Sequence, residues 1–105
     1  MKVLHAPTTY LLEDHHKTGY GVEVVFVHRN AKGELVQGIT NEEVVEMLLQ
    51  RFYEFQKKSY SSEGDVILKQ LQIIKKLLNM RIDSKNRRLS NYKRENAEEN
   101  LDTSA

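Results

Sequence analysis

The sequence predicts an α+β fold: a small β-hairpin at about 20–37, followed by a long antiparallel helical hairpin at about 40–88, assembling as an oligomer. Three observations lead there. Tyr20 to His28 is rich in β-branched and aromatic residues and runs into the turn residues Asn30-Ala31-Lys32-Gly33. Ile39-Thr40-Asn41-Glu42-Glu43-Val44 has the form of a capped helix start. The segment after the polar break Lys57 to Ser62 carries more apolar residues than one partner helix needs.

From the N-terminus, Val3 and Leu4 suit a short strand, and Pro7, Thr8 and Thr9 mark a turn. Tyr10 to His16 reads as a short helix ended by Lys17-Thr18-Gly19. Tyr20 to His28 and Glu34 to Gln37 then form the β-hairpin, which is marginal alone and needs a layer against its apolar face. The first long helix has a capping box, with the Thr40 hydroxyl accepting from the Glu43 amide, and a staple of Ile39 on Val44. Val44, Val45, Leu48, Leu49, Phe52 and Phe55 recur at spacings of three and four, so they share a face that must bury.

The second helix is expected to start at Ser62, with Glu63 and Asp65 near the positive end of its dipole. Ile67, Leu71, Ile74 and Leu78 make one stripe, and Val66, Ile73, Leu77 and Met80 a second beside it. That surplus predicts a subunit interface or a further layer. Residues 1–95 read as a single domain, and Asn96 to Ala105, aperiodic and containing Glu98, Glu99 and Asp102, as a disordered acidic tail.

Composition narrows the function classes. A chain of 105 residues with 39% hydrophobic and 30% charged content fits one small domain, and without cysteine it excludes disulfides and thiolate metal sites. No apolar run approaches a membrane span, and the first residues turn polar too soon for a signal peptide, so a cytoplasmic location is expected. Net charge is only +1, yet Arg81 to Arg94 holds six basic residues against Asp83 alone. No catalytic constellation emerges. His15 and His16 are adjacent, where metal ligands on one helix face sit four apart, and the glutamates of the first long helix are explained by its N-terminal dipole. No enzyme activity, metal or cofactor is expected. No role follows from the sequence for His15, His16 or Tyr20.

Two features point toward a ligand. Arg81, Lys85 and Arg88 share a face at spacings of four and three, a row suited to phosphates or, equally, to a solvated helix end. Phe55-Gln56-Lys57-Lys58-Ser59-Tyr60 brackets lysines with aromatics, which suits a purine and its phosphate or simply the end of an apolar stripe.

The order of β-hairpin, Gly38 to Glu42, Val44 to Phe55 with Arg51 inside, a short loop ending in Glu63, then Leu71 to Arg81-Ile82-Asp83-Ser84-Lys85 resembles the phage anti-defence sponge family that counters Thoeris and CBASS immunity. The resemblance covers roughly Tyr10 to Arg88. It implies a viral, non-enzymatic homo-oligomer, a hexamer being possible, in the host cytoplasm. Such a protein sequesters cyclic nucleotide messengers, of cyclic ADP-ribose or cyclic oligonucleotide type, between subunits. Phe55 would stack on the base, Arg81 and Lys85 would bind phosphate, and Glu63, Gly64 and Arg88 would complete the site. Where the family has an Arg-Glu-Asn run this chain has Ser62-Glu63-Gly64, and Lys85 replaces the forked guanidinium of an arginine. The alternatives are a small nucleic-acid-binding protein using the basic helix end, disfavoured by the low net charge, and a helical-hairpin adaptor.

Overall fold

A computed structural model describes residues 1–88 of the chain in full, and the expectation for the tail at 96–105 lies outside the described residues. Five strands precede two helices: β1 (Lys2–His5), β2 (Thr9–Glu13), β3 (Gly21–Val25), β4 (His28–Arg29), β5 (Leu35–Val36), α1 (Asn41–Lys58) and α2 (Ser62–Ser104). The class is α+β, as the sequence predicts. The chain divides into two compact units, Met1–Met47 and Leu48–Ala105.

In the first unit β1, β2 and β3 form an antiparallel meander in that order. The short helix expected over Tyr10 to His16 is therefore corrected: its first half is the central strand β2. Backbone pairing on both sides decides this, because β2 satisfies its amides and carbonyls against β1 and β3 at once, which a single helical turn cannot do. The second half is a loop. The Asp14 carboxylate accepts from the Thr18 amide at 2.9 Å and from the Thr18 hydroxyl at 2.8 Å, while the Asp14 amide donates to the Tyr20 carbonyl at 3.0 Å.

The predicted long strand from Tyr20 to His28 is also corrected, since it divides between two sheets. β3 pairs with β2, and only β4 and β5 make the expected hairpin, closed by the Asn30 side-chain oxygen accepting from the Lys32 and Glu34 amides at 3.0 Å each. The break falls where the segment before α1 crosses. Ile39 bridges Phe26 in parallel, its amide donating to the Val25 carbonyl at 2.8 Å and its carbonyl accepting from the Val27 amide at 3.0 Å. Gly38 makes this crossing possible, because a Cβ there would meet the backbone of Val25, Phe26 and Val27. α1 begins at Asn41, with the Glu43 amide donating to the Thr40 hydroxyl at 3.2 Å, which is the predicted cap.

In the second unit α1 and α2 pack against each other as a helical hairpin. Leu48, Leu49 and Phe52 of α1 are half-buried, as are Leu68, Leu71, Lys75 and Leu78 of α2. The stripe expected inside is thus shifted by part of a turn: Leu68 and Lys75 join Leu71 and Leu78, whereas Ile67 and Ile74 are exposed. One partner helix covers only a narrow seam, and the apolar residues beside it stay exposed among the described residues. Val66, Ile73, Leu77 and Met80 are each more than half exposed, at 55, 51, 57 and 53%. Among the described residues no apolar side chain is fully buried. A core of half-covered side chains contributes far less than the same residues would when closed off from water.

Candidate functional site

The predicted ligand residues lie at two places on the helical hairpin. At its tip, the turn is sewn together by Gln56. Its side-chain amide donates to the Ser61 carbonyl at 2.9 Å, and its oxygen accepts from the Ser61 amide at 3.0 Å. α2 starts at Ser62, as expected, and its cap is Ser61, whose hydroxyl accepts from the Gly64 amide at 3.0 Å. Gly64 is buried, and a Cβ there would collide with the Gln56 side-chain amide and lie 2.9 Å from the Ser61 hydroxyl. The reason for glycine at this position is therefore room for Gln56. Glu63 is exposed beside it and accepts from the Ser62 hydroxyl at 3.3 Å.

Phe55 is 43% exposed and half clad. The Arg51 guanidinium carbon sits 4.6 Å from the Phe55 ring centroid, and Phe52 meets the same ring edge-on at 6.5 Å. A guanidinium over an aromatic face presents a cation and a stacking surface together, the pair that a nucleobase with its phosphate uses. A second such pair lies alongside, with the Lys57 ammonium 4.5 Å from the Tyr53 ring and 3.4 Å from the Glu54 carboxylate. Sequence reasoning named Arg51 only as part of a pattern and passed over Tyr53. The signal was present in the spacing of four that joins Arg51 to Phe55 and Tyr53 to Lys57.

The basic row lies farther along α2. Arg81, Lys85 and Arg88 are all exposed, and Arg88 donates back to the Ser84 carbonyl at 3.4 Å. Arg81 and Lys85 have no acidic partner within 4 Å among the described residues. The helix rises roughly 25 Å from Gly64 to Arg81 at ~1.5 Å per residue. One chain therefore does not bring the tip and the row to a single small ligand.

Tyr20, His15 and His16 belong to the first unit, in the loop between β2 and β3; the two imidazoles lie 4.9 Å apart, and Tyr20 is 81% exposed. Among the described residues no three His, Asp or Glu side chains converge as metal ligands, and no helix is long and apolar enough to cross a membrane. Compared with known proteins, the chain matches no family model, no curated protein and no solved structure.

Proposed function

We propose that the protein is a non-enzymatic sponge that sequesters cyclic nucleotide messengers at sites completed by two copies of the chain. One observation carries the reading furthest: the uncovered stripe Val66, Ile73, Leu77 and Met80 has its midpoint at Ile73. Two α2 helices laid antiparallel about a two-fold axis near Ile73 would set Val66 of one chain beside Met80 of the other. That same pairing carries the tip of each chain, with Phe55, Arg51 and Glu63, toward the partner's row of basic side chains. The 25 Å gap that defeats a single chain then becomes the spacing that an antiparallel pair needs.

Such a site suits a compact anion with a base. The stacking surface is Phe55 with Arg51, and Arg81 and Lys85 supply phosphate charge from the other copy. Closure between subunits excludes water and so strengthens each charged contact. Gly64 is buried against Gln56, and the exposed Glu63 beside it is the polar group offered at the tip in this reading.

The test is to incubate purified protein with cyclic dinucleotides, cyclic trinucleotides and cyclic ADP-ribose isomers, wash, denature, and identify what is released. Intact messenger supports sequestration, a degraded one would make the protein an enzyme, and none returns the basic row to nucleic acid or protein partners. Arg81→Ala is expected to lose a charge-assisted contact of about 1.5–3 kcal/mol, which is roughly ten- to hundredfold in affinity or somewhat more. Lys85→Arg restores the planar fork and should hold or raise affinity. Unchanged binding in folded Arg81→Ala and Lys85→Ala variants would reduce the row to a solvated helix end.

A further inference from the structure

The loop between β2 and β3 holds two imidazoles side by side, and the messenger site uses neither. On a helix adjacent histidines point apart, because ligands of one face lie three or four residues on. Here the segment is a turn. The Lys17 amide donates to the Asp14 carbonyl at 2.9 Å, which places His15 and His16 at the two corners of a β-turn. The Asp14 carboxylate fastens this turn by accepting from the Thr18 amide and hydroxyl, and Lys17 reverses the chain with a φ of 53°. Both imidazoles are exposed, and neither makes a hydrogen bond or ion pair among the described residues, so their ring nitrogens are open.

We propose that His15 and His16 together chelate a divalent late transition ion: Zn²⁺, Ni²⁺ or Cu²⁺. The spacing of the rings carries this assignment. Their centroids lie 4.9 Å apart, with the planes tilted by 59°. Two imidazoles on one ion, bound through nitrogen at about 2.0–2.1 Å with a ligand angle between square and tetrahedral, have ring centres roughly 4.5–5.2 Å apart. The turn thus sets both rings at the separation a shared ion needs, and rotation of the exposed side chains aims the nitrogens. Imidazole suits these ions, whereas Mg²⁺ and Ca²⁺ take oxygen ligands. The Asp14 carboxylate is engaged by Thr18, in keeping with the lack of a three-ligand cluster among the described residues, so water fills the remaining positions. The other histidines are not paired in this way: His5 lies in β1, and the Nδ1 of His28 is 2.7 Å from the Phe26 carbonyl. This site lies in the first unit and does not depend on the messenger reading.

Titration calorimetry of the full, untagged chain with Ni²⁺ and with Zn²⁺ tests it. One ion per chain is expected, with no binding of Mg²⁺. His15→Asn and His16→Asn keep a residue suited to a turn. Each should weaken binding roughly tenfold or more, at least the loss seen when an outer partner of a metal ligand is removed. His5→Ala and His28→Ala should bind as the parent does. The unfolded chain keeps the same two neighbours in sequence, so an ion raises the urea midpoint only if the folded turn holds the rings better than a random chain does. Ni²⁺ is expected to raise that midpoint in the parent and not in His16→Asn. No binding of either ion overturns the proposal, as does undiminished binding in folded His15→Asn and His16→Asn. Binding without a midpoint shift overturns it too, because the pair would then be a loose dipeptide and not a site made by the fold.

Discussion

Gln56 and Gly64 act as one unit, although they lie in different helices. Glycine inside a helix costs about 1 kcal/mol relative to alanine, and here the chain accepts that cost so that the Gln56 amide can reach both polar backbone groups of Ser61. Gln56→Ala is expected to lose about 1–2 kcal/mol, in line with two modest, solvent-accessible hydrogen bonds. The informative variant is Gly64→Ala. In the parent it displaces Gln56 and is destabilising, whereas in the Gln56→Ala background the closest contact left is the Ser61 hydroxyl at 2.9 Å, so its cost falls. Urea unfolding of the four proteins measures this as a coupling of about 1–2 kcal/mol. Strict additivity would show that the two side chains do not compete for the same space.

At the scale of elements, the helix starts were legible because their signals are local. Thr40 caps α1 as its spacing to Glu43 demands. α2 likewise starts at Ser62 as read, while its cap at Ser61 is held by Gln56 bonds that come from five residues upstream. β2 was read as a helix because Tyr10-Leu11-Leu12-Glu13 has no clean alternation: Leu11 and Leu12 put an apolar side chain on each face of the sheet. The residues of the candidate site could be named from the sequence, yet the roughly 25 Å between its two groups is a property of helix rise and becomes visible only once α2 is continuous from Gly64 to Arg81. The crossing at Gly38 also gives a prediction. Its neighbours are backbone and cannot swing aside, so Gly38→Ala should cost about 2–3 kcal/mol or more, read as a lowered urea midpoint with the slope unchanged. A cost near zero would mean that the bridge between Phe26 and Ile39 is dispensable.

For the whole molecule, the decisive fact is that no apolar side chain among the described residues is fully buried while the apolar stripe of α2 stands open. A chain of 105 residues in this condition has little margin over its conformational entropy. The stripe proposed as a contact on α2 is self-complementary and two-fold, so an assembly that closes on it has an even number of subunits. Light scattering at several dilutions is expected to give an even multiple of the chain mass, with thermal stability falling as concentration falls. A monomer whose melting temperature is independent of concentration would remove the α2 contact and the shared ligand site with it.

A protein with a sticky surface is at risk of growing without end, and the edges of its small sheet bear on that risk. On one edge the ladder of β1 slips between Val3 and His5, which interrupts the straight row of free amides and carbonyls that an incoming strand would need. On the other, Ile39 has already taken the hydrogen bonds at the end of β3. Side-chain faces remain open for finite association, while the backbone offers no uninterrupted template for a fibril.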